Sequence, residues 1–156
     1  MWSKNRMAVI YGLIGCVLTT TPAMTKDLEV LMRMLYAADL ADQANGFCGV
    51  FNPRFSMEAG GPLGNIHFYR QHIALEVING LDEREAITVS KLAADAALAD
   101  MLLVQRQIKA GDSDTEADRV LGWCHEMAKP LIQNVISTHD EHHGEIDDLL
   151  AKAKMQ

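Results

Sequence analysis

Aromatic residues make up only 6% of this 156-residue chain, proline occurs four times and cysteine three times. Each scarcity excludes something. Strands draw on aromatic and β-branched residues, whereas the Ala, Leu and nine Met that dominate here are strong helix formers, so the palette argues against a sheet. Four prolines and eleven glycines rule out collagen-like and low-complexity chains, and 49% hydrophobic against 22% charged residues rules out intrinsic disorder. The absence of any Cys-x-x-Cys spacing removes c-type haem attachment and a dithiol redox motif. Basic residues are scarce as well: 14 Lys and Arg face 21 Asp and Glu, a net charge of −7. The basic residues are scattered rather than clustered, which excludes nucleic acid and anionic membrane surfaces as partners.

Acidic residues are also missing from the first 26 positions. Lys4 and Arg6 precede an apolar run from Met7 to Leu18, followed by Thr19, Thr20, Thr21, Pro22 and Ala23. A basic start, a short apolar middle and a small-residue exit are the three regions of a secretory signal peptide. As a helix the apolar run would reach roughly 18 Å, short of a bilayer core of about 30 Å, so no permanent membrane span is expected. Cleavage after Ala23 would leave one domain over 24–156, with 12 basic and 21 acidic residues and a net charge of −9. The expected compartment is therefore the periplasm or the extracellular space. Leu13-Ile14-Gly15-Cys16 also resembles the lipobox of bacterial lipoproteins, which implies acylation of Cys16 and anchoring at the inner or outer membrane. Val17 and Leu18, which prolong the apolar run past the cysteine, favour ordinary cleavage.

Cys48 and Cys124 then remain as a pair, and in an oxidising compartment two remaining thiols are commonly joined. Their separation of 76 residues makes the closure worth about 4 kcal/mol in the chain-entropy picture.

Beyond the leader the pattern is helical. Leu28, Leu31, Met32, Leu35 and Ala38 recur at spacings of three and four from Thr25, and Asn45-Gly46 reads as a helix end. From Phe47 to Gly64 no period survives, and Pro53, Pro62 and Gly60-Gly61 mark a long loop. Phe47, Phe51 and Phe55, four apart, make that loop a candidate contact surface, with their own core as the competing destination. A second helix is expected over 65–79 with Ile66, Tyr69, Ile73, Val77 and Ile78 inward. A third starts at the capping box Asp82 to Glu85 with Val89, Leu92, Ala96, Ala99 and Leu103 inward, and ends at Gly111. A fourth starts at Ser113 to Glu116, with an inward stripe running from Ala117 through Cys124 to Val135. Pro130 should kink it and Gly144 could split off a short fifth helix near Glu145. The expected fold is an all-α antiparallel bundle of about four helices.

Chemistry concentrates in His139-Asp140-Glu141-His142-His143-Gly144-Glu145. On a helix His139 and His143 share a face, and with His142 and Glu145 they offer imidazole and carboxylate donors suited to Zn(II), Cu(II) or Ni(II). A solvated acidic face, with imidazolium groups favoured by a helix C-terminus, is the competing description. The order H-E-x-x-H of zinc proteases is absent. A second set, His67, His72 and Glu76, lies on the second helix, where His72 and Glu76 are one turn apart and could pair or face a metal bound by the fourth helix. Gly60-Gly61-Pro62-Leu63-Gly64 lacks the Lys-Ser/Thr of a phosphate loop, and Ser56 and Ser90 have no base beside them. The expectation is therefore a non-enzymatic exported protein that acts by binding, first as an envelope or secretion-apparatus accessory with a protein partner, and alternatively as a metal-binding protein.

Overall fold

The computed structural model describes the backbone of residues 26–61, 65–111 and 113–153, and the side chains of 27–61, 65–111 and 114–141. The expected leader, its expected cleavage site and Cys16 lie outside the described residues. The fold is all-α, with no strand among the described residues. Its elements are α1 (Lys26–Phe51), α2 (Phe55–Gly60), α3 (Ile66–Gly80), α4 (Glu83–Lys109), a 3-10 turn (Ser113–Thr115), α5 (Glu116–Trp123), a π-helical turn (Cys124–Ala128) and α6 (Lys129–Ala153). No helix among the described residues is long and apolar enough to cross a membrane.

α1 is the central element, packed against α4, α6 and α3 in descending order of contact. It buries Leu28, Leu31, Leu35, Ala38, Ala41, Ala44 and Cys48 along its length. The α1–α4 contact is the most extensive in the molecule, and both helices bury alanines: Ala38, Ala41 and Ala44 on one, Ala86, Ala93 and Ala97 on the other. Small side chains let helix axes approach at the short end of the usual 8–10 Å range. Asp42 pairs with His67 and Asp39 with Arg70, at 3.1 and 2.7 Å, so ascending positions on α1 meet descending positions on α3 and the two run antiparallel.

Four expectations from the sequence are corrected. First, α1 does not end at Asn45-Gly46 but continues to Phe51, because Ala44, Phe47 and Cys48 lie on its packed side and Gly46 keeps a negative φ; Gly61 is the one glycine with positive φ among the described residues. Pro53 is the actual stop, and the Asn52 side chain accepts from the Arg54 N–H across the turn. Second, the stretch 47–64 is not a structureless loop. It holds the end of α1, a tight turn and the six-residue α2, with 62–64 outside the described residues. Of its phenylalanines, Phe55 is fully buried and Phe47 packs edge-on to Trp123 at 5.9 Å, leaving only Phe51 exposed. Third, the inward face of α4 is rotated. Ala86, Val89, Ala93, Ala97, Met101 and Ile108 are buried, while Ala99 and Leu103 face solvent, because closest approach to α1 selects the alanines over the leucines. Ile78 of α3 is likewise exposed.

Fourth, Gly144 does not split off a fifth helix, since the last helix runs from Lys129 to Ala153; the irregularity expected at Pro130 takes the form of a π turn over Cys124–Ala128. The strain of Pro130 is absorbed just upstream, where Lys129 donates to the Cys124 carbonyl in a π-type turn. The wider turn keeps Cys124, Ala128, Ile132, Val135 and His139 on one buried face. At the other helix starts, Asp82 accepts from the Arg84 and Glu85 N–H groups as expected, and a 3-10 turn over Ser113–Thr115 precedes α5, the Ser113 side chain of the second expected capping box lying outside the described residues.

The expected Cys48–Cys124 disulfide is present, with Cα atoms 5.8 Å apart and both sulfurs buried. A second tie fastens α1 to α4: the Tyr36 hydroxyl donates to Asp100 at 2.5 Å. Burial, and then the Asp100 carboxylate, raise the Tyr36 hydroxyl well above its ordinary ionisation range. In the unfolded chain Tyr36 loses its proton at pH ~10 while the folded chain retains it, so stability falls as pH rises beyond that point. Y36F is expected to flatten this alkaline loss, read as the change in urea midpoint with pH, while lowering stability at neutral pH through the lost hydrogen bond.

Candidate metal centre

Three donors from two helices converge beside the core. His72 and Glu76 are one turn apart on α3, with Nδ1 of His72 3.2 Å from Oε1 of Glu76. His139 enters from α6, its Nε2 3.2 Å from the same His72 Nδ1. All three ligating atoms lie within 4.8 Å of one another. An ion bound to nitrogen and oxygen at about 2.0–2.2 Å in tetrahedral geometry holds its donors about 3.3 Å apart. The two observed 3.2 Å separations are compatible with that spacing, and equally with a hydrogen bond between the imidazoles and an ion pair between His72 and Glu76.

The sequence arranges this locally. Ile132 and Val135 place His139 on the buried side of α6, four residues beyond Val135, and Ile73 and Val77 hold the adjacent face of α3 against the core. Asn65 caps α3 by accepting from the His67 N–H, fixing where its turns begin. His139 is buried, Glu76 nearly so, and the His72 side chain is 52% exposed, so the site has a protein-facing floor and a solvent-facing rim.

A second layer steadies His139. The Tyr69 ring meets it edge-on at 5.2 Å and the His72 ring does so at the same distance. Tyr69 donates to Asp140 at 3.3 Å, and Asp140 also lies 3.5 Å from Nδ1 of His139, the ring nitrogen turned away from the other donors. Desolvation, and then the charge of Asp140, raise the ionisation of Tyr69, which keeps it a donor.

Of the sequence-derived ligands, His139 is in this group; the side chains of His142, His143 and Glu145 lie outside the described residues. His72 and Glu76, read from the sequence as a helical pair that could face a metal on the fourth helix, are the partners the fold supplies. His67 is not among them, being held by Asp42 and by Gln71, whose Nε2 lies 3.0 Å from its Nε2. A shallow groove of about 220 Å³ lies elsewhere, bounded by Trp123, Gly122 and the charged Asp118, Arg119 and Glu126. It shares no residue with the histidine group.

The chain matches no protein-family model, no curated protein and no solved structure, so the donor set alone carries the reading that follows.

Proposed function

We propose that this protein binds a divalent transition metal between α3 and α6, using His72, Glu76 and His139. The observation that carries the reading is the pair of 3.2 Å donor separations centred on His72 Nδ1. Two imidazoles and one carboxylate suit Zn(II), Cu(II) or Ni(II), whereas Ca(II) and Mg(II) call for oxygen shells. Three protein donors leave room for a water or an external ligand at the half-exposed rim. The disulfide supports an oxidising compartment, and with the basic-apolar leader it supports a periplasmic or secreted protein. Binding rather than catalysis is the proposed role.

A second reading, a helical accessory that docks on a protein partner, is favoured by the apolar side chains left exposed on α3 and α4, among them Phe68, Leu75 and Leu98. The two roles are compatible.

Calorimetric titration of the purified protein with Zn(II), Cu(II) and Ni(II) tests the metal reading. One ion per chain is expected, with E76Q and H139A each weakening binding at least about 100-fold, since even outer-shell losses cost 10–100-fold. H142A/H143A should leave the affinity nearly unchanged. Binding no tighter than that of an unstructured histidine peptide, or loss on H142A/H143A but not on E76Q, overturns it. Circular dichroism of each variant separates lost ligation from lost folding.

A further inference from the structure

We infer that the groove along α5 and the π turn is a second ligand site, one that takes a small organic cation, an alkylated ammonium group. It is built from two neighbouring stripes of one helical surface. Asp118, Gly122 and Glu126 follow one another at steps of four residues, and Arg119, Trp123 and Met127 run beside them at the same steps. Its volume of about 220 Å³ is that of roughly seven waters in the liquid, which suits a ligand of a few heavy atoms.

Three uncommon features meet here. Gly122 stands inside the helical run formed by α5 and the π turn, where glycine weakens a helix relative to alanine. A Cβ added there would meet nothing within 4 Å, so no close packing requires the glycine, and its missing side chain leaves the groove open between the two carboxylates. π turns are rare and are frequent at functional sites, and this one supplies Glu126 and Met127 to the groove. Trp123 is only 9% exposed and is held at a steep angle by Phe47, so the indole surface it shows to the groove is fixed in place.

The charges set the sign of the ligand. Arg119 is the one base lining the groove, and its guanidinium is engaged: Nε donates to the Ile108 carbonyl and Nη1 to the Thr115 hydroxyl. The same head group lies so close to Gly111 that a Cβ there would sit 2.6 Å from Cζ. Asp118 and Glu126 are exposed, and among the described residues neither carboxylate makes an ion pair or a side-chain hydrogen bond. An anion would therefore meet two carboxylates with the balancing guanidinium already committed. A positive group with an alkyl surface gains from both carboxylates, from the indole by cation–π attraction, and from burying its methyl groups against Trp123 and Met127.

Choline is the probe, with 3,3-dimethyl-1-butanol as its uncharged isostere. The titration of the full chain is followed through the Trp123 indole N–H resonance, which a W2F variant assigns because the chain has two tryptophans. Saturation is expected with a Kd of about 1 mM. The isostere should bind at least about tenfold more weakly, and D118N/E126Q should weaken choline binding by about the same factor. G122L, whose side chain would fill the groove, should abolish binding without lowering the melting temperature, since leucine there replaces glycine in a helix. A filled site is thereby told apart from a lost fold. The groove shares no residue with the histidine group, so E76Q should bind choline as the parent does. A resonance that shifts linearly up to about 20 mM choline overturns the inference. So does an equal response to sodium chloride, an isostere that binds as well as choline, or full binding by G122L.

Discussion

Replacing both Cys48 and Cys124 with alanine is expected to destabilise the fold by about 4 kcal/mol and to lower its melting temperature by roughly 10–20 °C. The bond closes a loop of 76 residues that contains all of α2, α3, α4 and α5, so the unfolded chain that lacks it gains the corresponding loop-closure entropy. Both sulfurs are inside the core, and alanine removes them without burying a hydroxyl, which serine would do at additional cost. The effect has a local part too. The bond fastens the last turn of α1 to the start of the π turn, next to the Phe47–Trp123 edge contact. Urea titration followed by circular dichroism measures the loss. A change under about 1 kcal/mol would mean that the unfolded chain stays compact without the bond, so that closure removes little freedom. The same variant has a second use. Cys124 and His139 share one buried face of the π turn and α6, but the bonded cysteines are not among the three candidate metal donors. A double-alanine protein that still folds should therefore titrate with metal as the parent does.

What could be read from the residues was the helical class, the cysteine pair and the local half of the candidate metal group. His72 and Glu76 are visible as an i, i+4 pair, and His139 as the first of a histidine run. That these three meet required the path of α6 relative to α3, across 67 residues of sequence, which no local period encodes. Spacing along one helix cannot say which turn of the run faces a neighbour; the side chains of His142 and His143 lie outside the described residues. The α4 face was misread for a related reason. Val89, Leu92, Ala96, Ala99 and Leu103 are as regular a stripe as the buried one, and only the gain from bringing α1 and α4 close tips the choice toward alanine. Asn45-Gly46 carries a helix-ending signature that the core overrides, since ending α1 there would forfeit the burial of Cys48. The π turn before Pro130 left no trace in the pattern. Proline announces that a hydrogen bond is lost but not how the backbone absorbs the loss.

Phe55→Ala is expected to cost about 3–5 kcal/mol, whereas Phe51→Ala, four residues earlier, should cost less than about 1 kcal/mol. In sequence the two are equivalent members of an apparent contact loop. In the fold they have parted: Phe55 is fully enclosed, its ring 6.3 Å from and steeply inclined to that of His125, while Phe51 is 40% exposed at the end of α1. A six-residue helix has too few hydrogen bonds to form alone, so α2 keeps its place through the buried Phe55 and Ala59 and its packing on α6. Emptying the Phe55 site would leave a cavity beneath α2 and free it from α6. Gly60, whose added Cβ would sit 3.4 Å from Ile136, marks how closely the end of α2 meets that helix. Thermal melts of the two variants decide between core and contact surface. A contact-loop role predicts small and equal losses, with any partner binding lost in both; a core role predicts a difference of about 10 °C or more between them.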